Sequence, residues 1–153
     1  MYQLAQANYG QWKQNVTKEL AQEFFDRASP IMQSAIESGG FVWSNAGGFY
    51  QDPRTVAAFD NQLIIFNMTV WQTFEDLKRF VFNQIHTATM NDRDKWFDKI
   101  PSQASVMWWI KTGELPTIQQ ALSKIELINQ IGPSPQAFNF MQHFNWSDLT
   151  DII

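Results

Sequence analysis

Two adjacent tryptophans, Trp108 and Trp109, stand inside the short apolar run Ala104-Ser105-Val106-Met107-Trp108-Trp109-Ile110. They constrain the fold more than any other feature of the chain. Neighbouring side chains of a strand point to opposite faces, so Val106, Trp108 and Ile110 line one face while Met107 and Trp109 line the other. Burying one large apolar side chain stabilises by roughly 1.5–3 kcal/mol. Both faces are therefore expected to be covered, one by helices and the other by a second copy of the chain.

Aromatic residues make up 15% of the 153, with 13 Phe and 7 Trp. Such a surplus suits a filled core, an oligomer interface or an apolar cavity. The formal net charge is −4, and the 11 Lys and Arg never cluster beyond Lys78-Arg79, which speaks against a nucleic-acid stripe. The chain has no cysteine, which excludes disulfides, thiol catalysis and thiolate metal sites. Met1-Tyr2-Gln3-Leu4 lacks the basic start and apolar core of a signal peptide. No apolar run approaches the roughly 20 residues that span a bilayer. The expectation is a cytoplasmic protein that binds neither membrane nor nucleic acid.

Residues 2–9 read as a first strand ended by Gly10, and residues 17–38 as a helix that Pro30 kinks or splits. Residues 41–44 start a second strand, followed by an irregular stretch with Gly47-Gly48 and Asp52-Pro53. Residues 63–71 form the third strand. Thr73 caps a helix with Phe74, Leu77, Val81 and Ile85 on one stripe, and helical character is expected to continue to Phe97. The Trp-Trp strand follows. A last helix opens at Thr117, where Gln120 completes a capping box, and ends at Gly132-Pro133-Ser134-Pro135. Residues 136–153 carry Phe138, Phe140, Phe144 and Trp146, a tail expected to be packed. The first six elements give a ferredoxin-like βαββαβ order with an extra C-terminal helix, an α+β fold, in one domain covering residues 1–153.

Several groups of residues also carry a family resemblance. They are Leu4-Ala5-Gln6, Phe41-Val42-Trp43, Val70-Trp71, Phe80-Val81, His86, Arg93, Trp96-Phe97, Val106-Met107-Trp108-Trp109, Gly113, Pro116-Thr117 and Gly132-Pro133-Ser134-Pro135-Gln136-Ala137-Phe138. In this pattern the chain resembles the domain of unknown function 3291 family over residues 4 to about 140. The resemblance implies a dimeric α+β barrel, in a superfamily that includes antibiotic-biosynthesis monooxygenases, haem-degrading oxygenases, and small cyclases or isomerases. Sites in that superfamily lie in a cavity between sheet and helices.

Two constellations could carry chemistry. If residues 82–97 form one helix, then Phe82, His86, Met90, Arg93 and Phe97 share a face. His86 is then the candidate acid/base, and Arg93 the holder of a carboxylate, enolate or phenolate oxygen. The alternative is a hydrogen-bonded core histidine with Arg93 paired to a carboxylate. Second, Gln6 and Asn8 share a face of the first strand, and Asn67 and Thr69 share a face of the third; whether the two faces coincide is left open by periodicity. Asn8 and Asn67 are the candidate orienting groups, and Met68, Phe82, Phe97, Met107 and Trp109 the candidate apolar walls. With two histidines and no cysteine, no metal site is expected. The expected function is a cofactor-independent monooxygenase, cyclase or isomerase acting on a small apolar or aromatic molecule, in a homodimer. The alternatives are a non-catalytic binding protein and a haem protein. For the last, the resemblance would make Asn8 and His86 counterparts of the Asn and the haem-ligating His, with Phe80 where a tryptophan is used.

Overall fold

In the computed structural model, which describes residues 1–45, 51–83 and 93–152, the longest strand is β1 (Tyr2–Trp12). It is followed by α1 (Lys18–Glu37), β2 (Phe41–Ser44), α2 (Pro53–Phe59), β3 (Ile64–Trp71), α3 (Phe74–Val81), β4 (Phe97–Asp98), β5 (Ser105–Lys111) and α4 (Ile118–Ile131), with short 3-10 turns at Arg93–Lys95 and Trp146–Ile152. The sheet runs β2-β3-β1, and the far edge of β1 is shared by β5 and the two-residue β4. Strand β5 pairs Tyr2 through Asn8, whereas β4 pairs Gln11 and Trp12. All pairings are antiparallel. The path β1-α1-β2-β3-α3-β5 is the ferredoxin-like arrangement, an α+β fold.

Register divides the side chains between two faces. Cross-strand partners share a face, so Leu4, Gln6 and Asn8 of β1 lie with Trp71, Thr69 and Asn67 of β3 and with Trp109, Met107 and Ser105 of β5. Helices α1 and α3 cover this face: Met32, Ala35, Phe74 and Leu77 pack on Leu4, Trp71 and Met107. Farther along α1, Leu20, Ala21, Phe24 and Phe25 pack on Trp12, Trp96 and Phe97. The opposite face carries Ala5, Ala7, Phe66, Met68, Val70, Val106, Trp108 and Ile110, covered by Ala121, Ile125 and Ile128 of α4 and by Phe59 of α2. Both faces of the Trp-Trp strand are thus covered within one chain, and the indole pair does not require a second copy. Helix α4, with its Thr117–Gln120 capping box, supplies the cover assigned to a partner in the sequence reading.

Three other expectations change. Strand β1 continues through Gly10 to Trp12 because the missing Cβ admits the Phe97 ring; a Cβ there would stand 3.2 Å from Phe97 Cδ1. Pro30 does not split α1; it is exposed, as is Asp26, so the carbonyl it leaves unbonded lies on the outer side of the helix. The expected helix over residues 82–97 is absent at both described ends. Phe82 caps α3, its N–H donating to Lys78 O, while Phe97 belongs to β4, where Trp12, at 4.6 Å between ring centroids, and Phe24, at 5.0 Å, hold it. Aromatic packing on β1 outweighs helical periodicity there.

The tail meets the sheet at β5, while Met141, Gln142, His143 and Trp146 are exposed. Met107 and Phe138 exchange backbone hydrogen bonds of 2.8 and 2.9 Å across the outer edge of β5, and Trp109 Nε1 donates to Phe144 O at 2.8 Å. Helix α2 escaped the sequence reading although Asp52-Pro53 announces it. Asp52 is the cap, accepting from Arg54 N, and Pro53 follows inside the first turn. The buried Asp52 carboxylate also accepts from Arg54 Nε and Nη2. No helix among the described residues is long and apolar enough to cross a membrane.

Trp108→Ala, which empties the space between sheet and α4, should cost about 3–5 kcal/mol in urea unfolding. Trp109→Phe should cost only about 1 kcal/mol, the worth of the bond to Phe144. The Arg54 guanidinium bonded to Asp52 holds the Asp52 carboxyl below its ordinary value. A carboxyl depressed by folding stabilises fully above its unfolded value and loses that contribution as pH falls through the folded one. Asp52→Ala should therefore cost about 1 kcal/mol at neutral pH. The gap between wild type and variant should close as pH drops below the ordinary carboxylate range, as followed by thermal unfolding.

Candidate functional site

The question left open by periodicity has an answer in the register: the polar faces of β1 and β3 coincide. Gln6 stands opposite Thr69, and Asn8 opposite Asn67; on the other edge of β1, Asn8 stands opposite Ser105. Alternation places these five side chains as a polar strip across the middle of the face covered by α1 and α3. The strip lies between two apolar regions. On one side are Leu4, Trp71, Met107 and Phe138. On the other are Trp12, Phe24, Trp96 and Phe97, whose rings meet at centroid distances of 4.6 to 5.4 Å.

Within the strip, one chain of hydrogen bonds is closed. Trp71 Nε1 donates to Thr69 Oγ1 at 2.9 Å, and Thr69 Oγ1 donates to Gln6 Oε1 at 3.2 Å. Both Gln6 and Thr69 are buried. Asn8, Asn67 and Ser105 are half-buried and make no side-chain hydrogen bond with one another or with any other described residue. Their hydrogen-bonding capacity is therefore open to water or a ligand. The strip contains no titratable side chain, and its hydrogen-bonding capacity is therefore independent of pH.

The sequence-derived candidates fall in different places. Asn8 and Asn67 stand opposite each other in the strip, and Met107 borders it beside Gln6. Trp109 lies on the same face but faces the tail, its ring 6.2 Å from Phe138. Phe97 belongs to the aromatic cluster at the far end. Met68 points to the opposite face, in the core under α4. Phe82 is exposed, its ring edge-on to Phe140. Arg93 is exposed in the 3-10 turn before Trp96, and does not share a helix face with Phe82. His86 and Met90 lie outside the described residues. Lys95, beside Arg93, pairs with Glu23 of α1, and Arg27 and Lys95 both lie over the Trp96 ring.

The sequence reading left Ser105 and Trp71 out of the site. Strand alternation places Ser105 with Met107 and Trp109, but only the register shows that it faces Asn8. The hydrogen bond of Trp71 runs along its own strand to Thr69, two residues away, a signal available from alternation alone. A shallow depression of about 350 Å³ is lined by Gln51, Pro53, Val56, Ala57 and Gln62 beside α2; no candidate residue lines it. Among the described residues, no group of three or more His, Cys, Asp or Glu could hold a metal ion.

Removing the Thr69 hydroxyl should orphan both the Trp71 indole and the Gln6 amide oxygen. Thr69→Val is expected to lose about 1–3 kcal/mol by urea unfolding, and Thr69→Ser to recover most of it.

Comparison with known proteins bears on fold and family. A family model described as a domain of unknown function (DUF3291) matches residues 3–152. No curated protein matches the chain. A conserved protein of Methanosarcina mazei superposes with a TM-score of 0.51 at 15% identity, over 72% of this chain and 93% of that one. A Pseudomonas aeruginosa protein gives a TM-score of 0.51 at 8% identity, over 76% and 97%. SnoaB of Streptomyces nogalater, a cofactor-independent oxygenase, gives a TM-score of 0.48 at 11% identity, over 77% and 98%. At these identities the likeness concerns the fold alone.

Proposed function

The chain belongs to the domain of unknown function 3291 family, and we propose that it is a small-molecule enzyme of the cofactor-independent monooxygenase, cyclase or isomerase type. Its substrate is an apolar or aromatic metabolite, bound between the sheet and the helices α1 and α3. The observation that carries this reading is the polar strip: neutral hydrogen-bonding groups with open valences, placed between two apolar regions. Apolar walls with a few convergent polar groups are what a small-molecule site requires.

Asn8 and Asn67 orient the substrate, and Met107 with Phe97 supplies apolar wall on either side. Neutral donors aimed at a substrate oxygen stabilise the charge that develops when a neighbouring carbon loses a proton. His86 is the acid/base in this reading, and Arg93, being exposed, holds an anion at the surface rather than inside. The reading includes a homodimer, for which the exposed apolar side chains Phe82 and Met141 offer contact surface. The exposure of Arg93 favours one second reading, a carrier or sensor that binds the same molecule without converting it.

Native mass spectrometry of the purified protein, with its denatured extract analysed, tests this. A dimer retaining a small apolar molecule is the expected result, and the pair Asn8→Ala and Asn67→Ala should each release it. Incubation of the retained compound with wild type should yield a product that His86→Ala does not make. Retention by both asparagine variants removes the strip from the site, and binding without conversion by wild type establishes the carrier.

A further inference from the structure

We infer that the side-chain amide of Gln6 is a pre-aimed hydrogen-bond donor for a neutral carbonyl oxygen on the bound molecule. The inference rests on the small-molecule reading above and assigns the feature the ligand must carry. It starts from Trp71, whose indole nitrogen can only donate. Its proton goes to Thr69 Oγ1, which occupies one acceptor site of that hydroxyl and leaves the hydroxyl proton free. Thr69 is 4% exposed, so that proton needs a protein acceptor, and Gln6 Oε1 at 3.2 Å provides it.

Amide oxygen and nitrogen are distinguished by such networks rather than by their shape. The reverse orientation would place two donors on Thr69 Oγ1 and strand its own buried proton, for which no other described acceptor exists. The amide oxygen of Gln6 is thereby fixed toward β3, and its Nε2 is turned away from Thr69. Gln6 is 7% exposed, yet Nε2 has no hydrogen-bond acceptor among the described residues. Its neighbour on the other edge of β1 is Met107, which offers only a weak acceptor.

Two donor protons are thus held, nearly buried, on a central strand whose backbone is paired on both sides. Such a group suits an acceptor. The strip holds no cation, so the acceptor it suits is uncharged: a ketone, quinone or amide carbonyl rather than a carboxylate. Gln6 binds the ligand, and Thr69 and Trp71 act as positioning residues behind it.

The test uses two probes of one shape, 1-tetralone, whose only polar atom is a carbonyl oxygen, and tetralin, which has none. Calorimetric titration of wild type should show 1-tetralone binding about tenfold tighter, the factor corresponding to one well-made hydrogen bond. In ¹⁵N-resolved NMR, the Gln6 Nε2 proton pair should shift with 1-tetralone and not with tetralin. Gln6→Met should erase the preference while tetralin affinity stays unchanged. Thr69→Val should weaken the preference, and Thr69→Ser should restore it. The NMR shift needs no variant, so misfolding of Gln6→Met would not block the test. Equal affinity for the two probes, or an unmoved Gln6 pair in the 1-tetralone complex, overturns the donor assignment and leaves the small-molecule reading standing. Failure of wild type to bind either probe overturns the small-molecule reading and this inference with it.

Discussion

Backbone hydrogen bonds run along both edges of β1, and nearly every element takes its position from that double pairing. Eight residues of β3 pair with one edge, while β5 and β4 divide the other between them. A strand bonded on both sides cannot slip by one residue without turning every side chain to the wrong face. Ala5 and Ala7 are fully buried on one side and Leu4 on the other. Small residues at 5 and 7 let Phe66, Met68, Val106 and Trp108 close over the strand beneath α4. The same register brings Gln6 to Thr69 and Asn8 to Asn67, so the polar strip follows from the pairing of β1.

The face under α1 departs from the usual rule for a helix-covered sheet, which is apolar throughout. Its two ends obey, with Leu4 and Trp71 at one and Trp12 and Phe97 at the other. A single long helix bridges both ends, since Phe24 serves one cluster and Ala35 the other. The apolar ends hold α1 in place, and the strip between them need not be filled with hydrocarbon for the fold to stand. Apolar packing and open polar groups thereby occupy different stretches of the same surface.

Much of this was legible before the structure. Alternation around Trp108 and Trp109 announced burial on both faces, and Thr73 and Thr117 announced their helices. What remained hidden depended on partners distant in sequence. That α4 rather than a second chain covers Trp108 is a matter of where a helix folds back, and periodicity carries no such information. Phe82, His86, Met90 and Phe97 fall at helical spacing, yet Phe97 is drawn into β4 by Trp12 and Phe24. The coincidence of the Asn8 and Asn67 faces likewise needed cross-strand register. Asp52-Pro53 is the opposite case: a capping residue followed by proline is a local signal for the seven-residue helix found where an irregular stretch is expected.

The bridge between Met107 and Phe138 has a consequence for how copies of the chain can meet. An open strand edge offers a ladder of unpaired amides and carbonyls to any extended segment, a common route to aggregation. Here the tail occupies that ladder midway along β5, and the opposite border of the sheet is the four-residue β2, with a register irregularity between Phe41 and Trp43. Neither border provides a long, flat template for adding strands. Any association of this chain with itself is thereby directed to side-chain surfaces, and growth by sheet extension is discouraged at both ends.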